Sequence, residues 1–296
     1  MKSFIDCIPC FMQQTIQTGR LCGLTDSHIK TLIDAVGKEI PSVSLDNPPT
    51  VIAAHLQRVV TEVMENPDPL KAVKVMSNTA ALSYYDTAMN VITHAENPLK
   101  AALQVAIAGN IIDYGAIHDL DVPAELERIM QQEEALIEYE NGELFAFDLL
   151  ERDLQKSETL LYVGDNAGEI VFDKALITTI KNLYPHLIIT FATRGYPILN
   201  DVLLEDAYAV GLDSLVTVVS SGVDTPGLVL EHATEEFREL FHQSDLIISK
   251  GQGNLESLLD VQAPIYFLLV AKCQPIAQLL GCKERDIILK RQLSFS

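Results

Sequence analysis

Residues 159–169 read Thr159-Leu-Leu-Tyr-Val163-Gly164-Asp165-Asn166-Ala167-Gly168-Glu169, a short strand-forming run that ends in a glycine-flanked polar turn. The run is continuously apolar rather than alternating, the pattern of a strand buried on both faces. Behind the turn, Ile170 to Leu183 carries apolar residues at helical spacing, so the unit predicted is strand, tight loop, helix. Four similar runs follow. Leu187–Ala192 ends in Arg194-Gly195, Leu215–Val219 in Ser220-Ser221-Gly222, Asp245–Ser249 in Lys250-Gly251-Gln252-Gly253-Asn254, and Pro264–Val270 in Ala271-Lys272-Cys273. Strands alternating with helices build a parallel sheet. The expected class is therefore α/β, a Rossmann-like, mainly parallel sheet flanked by helices. Ligands of such sheets bind beyond the carboxyl ends of the strands, which is where all five turns fall.

Before about Ser157 the pattern is helical. Ile29, Leu32, Ile33 and Val36 recur at helical spacing behind a Thr25-Asp26 start signal, and Val51 to Met64 repeats the pattern after Asn47-Pro48-Pro49. Leu70 to Asn90, Leu99 to Ile112 and Pro123 to Ile137 read the same way. An all-helical N-terminal region over 1–155 and an α/β domain over 156–296 are expected, the latter carrying the site.

Of 296 residues, 48% are hydrophobic, which makes the chain globular. Asp6 and Pro9 interrupt the first residues, so no signal peptide is expected, and Ala263–Ala271 is too short to span a membrane. A cytoplasmic protein with no membrane partner follows as the expectation. The formal charge of −20 repels phosphate backbones and argues against nucleic-acid binding. It would repel a phosphorylated small molecule too, unless the site supplies a metal, placed lysines or helix N-termini. Five cysteines, odd in number and unevenly spaced, argue against a disulfide framework.

Asp165 and Asn166 stand at a strand tip, where glycines let the backbone approach a ligand and the following helix N-terminus favours an anion. Carboxylate and amide oxygens suit a magnesium-like or manganese-like ion. The plainer alternative is a helix cap; Glu169, one turn on, and the polar ends of the other strands favour the ligand reading. Asp201, expected on a helix after the second strand, either completes the oxygen set or is a surface acid near a helix start. Arg194 and the Ser221-Gly222 turn are further strand-end donors. Lys250, before a glycine-rich turn, is placed to hold a phosphate as a point charge, with Gly251, Gly253 and Asn254 adding donors; Lys272 is a second cation. Asn110 and Asp113 share a helix face and either reach the site or cap a helix end. Cys7-x-x-Cys10, with Cys273 as a third thiol, reads as two or three buried free thiols rather than a zinc or dithiol site.

Together these residues resemble the metal-dependent damage-control phosphatase family, over nearly the whole chain. The resemblance is carried by Cys7-x-x-Cys10, Gly109-Asn110-x-x-Asp113, Gly164-Asp-Asn-Ala-Gly-Glu169, Asn200-Asp201, Lys250-Gly-Gln-Gly-Asn254 and Lys272-Cys273. The CxxC places it with a microbial subfamily. The resemblance implies a Rossmann-like domain with a helical N-terminal region, metal ligands Asp165, Asn166 and Asp201, and removal of phosphate from sugar phosphates or damaged phosphometabolites. It also implies tolerance of magnesium, manganese, cobalt or nickel. Eukaryotic branches carry Arg-Thr-x-Lys where this chain has Lys250-Gly-Gln-Gly, so their substrates do not transfer.

The expected reaction is metal-assisted hydrolysis of a phosphomonoester of a small metabolite. Asp165, Asn166 and Asp201 would hold the ion, and Lys250 with the Gly251–Asn254 backbone would offset the phosphoryl charge. Glu169 or Asp113 would bind substrate hydroxyls or serve as base. A non-catalytic metabolite-binding protein is the first rival. An S-adenosylmethionine-dependent methyltransferase is the second, although its usual Gly-x-Gly is absent and Lys250 would have no purpose there.

Overall fold

The computed structural model describes residues 1–109 and 144–292. Six strands, β1 Thr159–Val163, β2 Ile188–Thr193, β3 Thr217–Ser220, β4 Leu246–Lys250, β5 Ile265–Val270 and β6 Ile287–Arg291, form one sheet in the order β3-β2-β1-β4-β5-β6. The first five are parallel and β6 runs antiparallel to β5. The Rossmann-like, mainly parallel class is thus observed, with an antiparallel edge strand that the sequence reading did not foresee. Strand order reverses between β1 and β4, so the loops leaving these two strands adjoin at the topological switch point.

Side chains alternate across the sheet and feed two cores. Leu160 and Tyr162 of β1 face one, with Phe172, Leu176 and Leu103; Leu161 and Val163 face the other, with Phe237, Phe241 and Leu255. Burial on both faces explains why these runs lack polar alternation.

The N-terminal helices are α1 Cys7–Leu21, α2 Asp26–Glu39, α3 Pro49–Val63, α4 Lys71–Leu82, α5 Tyr85–His94 and α6 Pro98–Ala108. The Thr25 start signal is a working cap, its hydroxyl accepting the His28 N–H at 3.4 Å. The single pattern over Leu70–Asn90 is two helices, α4 and α5. The Ser83 hydroxyl donates to the Ala80 carbonyl at 2.6 Å where the first ends, a side-chain bond that competes with the helical ladder. α1 to α3 share a core of Phe11, Leu32, Val36, Ile52, Leu56 and Val60. α6 is different: every residue from Ala101 to Ala108 is buried, and it packs into the core beneath the sheet with the helix Glu169–Leu183.

A second correction concerns Asn200 and Asp201. They lie in a loop, and the next helix starts only at Leu204. Leu199 has φ 46, in the left-handed region, and turns the chain back on itself. The returning segment then pairs with the β1 loop: Val202 N–H donates to Asp165 O at 2.9 Å and Ala167 N–H to Asn200 O at 2.9 Å. An antiparallel bridge between Asn166 and Asp201 results.

Candidate active site

That bridge sets Asp165, Asn166 and Asp201 side by side on the wall of a cleft of about 390 Å³. The volume lies in the range of small-molecule sites. Asp165 and Asp201 are 6% and 3% exposed. Arg194 lies behind them, itself 1% exposed, with Nε donating to Asp201 Oδ2 at 2.7 Å, Nη1 to Gly164 O at 3.3 Å, and Nη2 3.7 Å from Asp165 Oδ1. Arg194 therefore braces the carboxylates from the protein side and does not line the cleft among the described residues.

Beneath Asn166 lies a second buried layer. The Asn166 amide Nδ2 donates to Asp165 Oδ2 at 2.7 Å and toward Glu169 Oε2 at 3.4 Å. Lys250 Nζ donates to Glu169 Oε1 at 2.5 Å, to Asp173 Oδ1 at 2.5 Å and to Ala106 O at 2.9 Å. Tyr162 Oη donates to the same Asp173 oxygen at 2.7 Å. An ammonium has three hydrogens. All three of Lys250's are committed inside the protein, leaving none for a phosphoryl oxygen, and the side chain is 0% exposed.

Electrostatics follow from this crowding. Burial, then the neighbouring Glu169 and Asp201 charges, holds the Asp165 carboxyl well above the usual carboxylate range. Burial pushes Asp201 up to about 6 although Arg194 opposes it. Burial disfavours the Lys250 charge, but Asp173 and Glu169 outweigh it and raise its pKa. Four carboxylates (Asp165, Glu169, Asp173 and Asp201) meet two buried cations, Arg194 and Lys250. This local excess of negative charge, on hard oxygen donors open to a cleft, suits a divalent cation held by Asp165, Asn166 and Asp201. Among the described residues no three His, Cys, Asp or Glu side chains form a metal cluster; the expected set is two carboxylates and an amide.

The turn after β1 is also held from the helical side. Gly168 N–H, one of the helix N-terminal donors expected to face an anion, donates instead to Asn78 Oδ1 at 2.7 Å. Asn78 Nδ2 donates to Asp206 Oδ1 at 3.0 Å, and Lys74 lies 3.5 Å from Asp206 Oδ2. Sequence reasoning missed this network and Asp173. The signal was present in α4, where Lys74, Ser77 and Asn78 put polar groups at helical spacing on its buried face.

The remaining expected residues divide. Lys272 and Gly253 line the cleft, and Lys272 is the one basic side chain there among the described residues. Gly251 packs against the Asp165 carboxylate with no room for a Cβ between them. Asn254 is buried and ties loops together, donating to Gly164 O at 3.1 Å and Lys250 O at 2.7 Å while accepting Leu228 N–H at 2.8 Å. Ser221 donates to Thr193 O at 2.7 Å, and Gly222 packs on Gly195 and Thr234, so this turn is a packing junction away from the cleft wall. Asn110 and Asp113 lie outside the described residues. The thiols differ from the buried set expected: Cys10 is exposed, Cys7 and Cys273 are half-buried, and all three line the cleft, where α1 meets the end of β5. Burial raises the pKa of Cys7 and Cys10.

The family model described as the damage-control phosphatase ARMT1-like domain matches residues 3–288. The chain belongs to this family. An uncharacterized protein of Methanocaldococcus jannaschii is 32% identical over 97% of this chain and 94% of its own length. Damage-control phosphatases of Archaeoglobus fulgidus and Pyrococcus horikoshii are 32% and 30% identical, covering 81% and 82% of this chain and 81% of each relative. The crystal structure of a DUF89 family protein from Pyrococcus horikoshii superposes with a TM-score of 0.85 at 26% identity, covering 99% of this chain and 100% of that one. Damage-control phosphatase relatives support a phosphatase role and a divalent metal cofactor for this chain as well. Among the described residues no helix is long and apolar enough to cross a membrane.

Proposed function

We propose that this damage-control phosphatase family member is a cytoplasmic, metal-dependent phosphomonoesterase of small phosphorylated metabolites. The observation that carries the reading is the Asn166–Asp201 bridge, which gathers two carboxylates and an amide at the switch point of the sheet, facing a cleft whose one described basic side chain is Lys272. Asp165, Asn166 and Asp201 would hold a magnesium, manganese, cobalt or nickel ion. Such an ion, when bound, supplies Lewis-acid polarisation of the phosphoryl group and a water of lowered pKa.

The chain's own residues do the rest. Lys272 pairs with a phosphoryl oxygen from the cleft side, the role the sequence had suggested for Lys250. Arg194 fixes the two aspartates and offsets part of their repulsion. Glu169 accepts from the Asn166 amide and so turns its oxygen toward the cleft. Lys250 and Asp173 lock Glu169 in turn, acting as positioning residues. In this scheme residues 156–296 supply the chemistry and 1–155 much of the wall around the leaving group.

The test is a phosphate-release screen crossing these four metals with a broad panel of phosphomonoesters, with Asp165→Ala as control. Release by the wild type and its loss in a folded Asp165→Ala variant are expected. Absence of release with every metal and ester would remove the phosphatase reading and leave a metabolite-binding protein.

A further inference from the structure

Glu256 lines the cleft from the helix Gln252–Leu258, one turn after Gln252, and is half-buried. The Gln252 amide holds it in place. Its Nε2 donates to Glu256 Oε1 at 2.8 Å, while its Oε1 accepts the Lys272 backbone N–H at 2.9 Å. One side chain thus pins Glu256 beside the segment that carries Lys272. Among the described residues the second carboxyl oxygen, Oε2, takes part in no hydrogen bond.

The surroundings favour the neutral acid. Burial raises the Glu256 carboxyl to about 7, against the Gln252 hydrogen bond, Lys272 and the Met1 ammonium, which favour the charged form. That ammonium is itself paired with Asp260 at 3.0 Å. The Cys7 and Cys10 thiols face Glu256 from α1, and Cys273 Sγ lies 3.6 Å from Gln252 Nε2; none of the three adds positive charge. A phosphoryl dianion entering beside Lys272 would favour the proton further. In the neutral acid the oxygen that accepts the amide N–H acts as the carbonyl. The proton therefore sits on Oε2, the oxygen without a protein partner.

Lys272 links Glu256 to the metal pole, being within electrostatic range of Asp165, Asp201 and Glu256 alike. In phosphoryl transfer the attacking and leaving oxygens lie roughly in line on opposite sides of phosphorus. With a phosphoryl oxygen on Lys272 and attack from the pole of Asp165, Asn166 and Asp201, the leaving oxygen points away from that pole, toward the wall that carries Glu256. An alkoxide leaves poorly unless it is protonated as it departs.

We propose that Glu256 is the general acid of the reaction: its Oε2 proton passes to the ester oxygen as the bond from that oxygen to phosphorus breaks. A water forms the new bond to phosphorus, and the electron pair of the broken bond stays on the leaving oxygen. The products are the free alcohol, dihydrogen phosphate and the Glu256 carboxylate. One phosphate proton then returns to Glu256 through solvent. The inference rests on the phosphatase reading and adds the proton donor that reading lacks.

Leaving groups that differ in their need for a proton test it. p-Nitrophenolate departs as a stable anion, whereas the C6 oxygen of glucose 6-phosphate must leave as an alcohol. Metal-loaded Glu256→Gln keeps the shape of the side chain but has no acidic proton. In that variant the ratio of kcat/KM for glucose 6-phosphate to that for p-nitrophenyl phosphate should fall about 100-fold or more. In the wild type, kcat/KM for glucose 6-phosphate should decline above about pH 7, a limb absent for p-nitrophenyl phosphate. Carbon-13 NMR of the glutamate-labelled, metal-free protein needs no turnover: one carboxyl should titrate near pH 7 and be missing from Glu256→Gln. Thermal unfolding checks the variant, and the wild-type pH profiles decide the matter should it not fold. A ratio that the substitution leaves unmoved overturns the inference and leaves the phosphatase reading standing. So does a Glu256 carboxyl that titrates in the ordinary glutamate range, or a wild-type limb shared by both esters. Equal loss on the two esters in a folded variant also overturns it and makes Glu256 a positioning residue. Absence of release from both esters by the wild type removes both readings.

Discussion

Gly251 carries the β4 loop directly against the Asp165 carboxylate: a Cβ at position 251 would lie 1.9 Å from Asp165 Oδ2 and 2.3 Å from its carboxyl carbon. The same residue has φ 80, which L side chains rarely adopt. Two strands adjacent in the sheet but distant in sequence thus meet backbone to side chain at the site, and glycine is what the contact permits.

Gly251→Ala is accordingly expected to displace Asp165 and abolish phosphate release, with stability lowered by about 1–3 kcal/mol. Gly281→Ala is the informative contrast. It shares a left-handed φ of 73 but has nothing within 4 Å of its would-be Cβ. That variant should lose only about 1 kcal/mol in urea unfolding and keep its turnover.

Lys250 distinguishes a phosphate ligand from a buried brace. Lys250→Met leaves Glu169 and Asp173 facing one another without their shared cation, so a stability loss of about 3–5 kcal/mol is expected. Adding Asp173→Asn should restore part of it. A Lys250→Met protein of unchanged stability whose only defect is a raised KM would return Lys250 to the phosphate-binding role.

Asp201 gives the metal-free protein a pH signature. Its folded pKa, about 6, lies above the ordinary 3.8, so the folded state binds its proton more tightly. The stabilisation this represents is fully present below the unfolded value and is lost as pH rises through 3.8 to about 6, amounting to about 3 kcal/mol at most. Chelated wild type should therefore lose stability across that window relative to Asp201→Asn. Added manganese should raise the unfolding midpoint at pH 7.5 and progressively less toward pH 5, because protons compete for the same oxygens.

Asn78 tests the support from the helical side. Asn78→Ala strips partners from both the Gly168 N–H and the Asp206 carboxylate, two buried groups. A loss of about 2 kcal/mol is expected, together with weaker manganese binding by calorimetry, since the turn carrying Asp165 and Asn166 loses its anchor. Stability lost with metal affinity intact would make Asn78 a purely structural residue.

Strand-end position makes Asp165 and Asn166 legible in the sequence, because a continuous apolar run that ends in glycine and acid residues sets those side chains at the ligand-binding edge of a parallel sheet. Asp201 was harder. Its local sequence reads as part of a helix, and only the left-handed turn at Leu199 and the backbone pairing with Asp165–Ala167 carry it to the site. Lys250 was found for its position, but its partners were invisible: Asp173 looks like any polar residue on a helix until the helix is docked on the sheet.

Local periodicity and turn chemistry, which each segment carries alone, were enough for the five parallel strands and the polar loops at their ends, but not for β6, the break between α4 and α5 or the strand order that puts β1 beside β4. Only the tertiary structure decided which charges face the cleft and which are spent inside. That outcome depends on contacts between residues as far apart as Ala106 and Lys250, and on burial that gives Lys250 to Glu169 and Asp173 while leaving Lys272 at the surface.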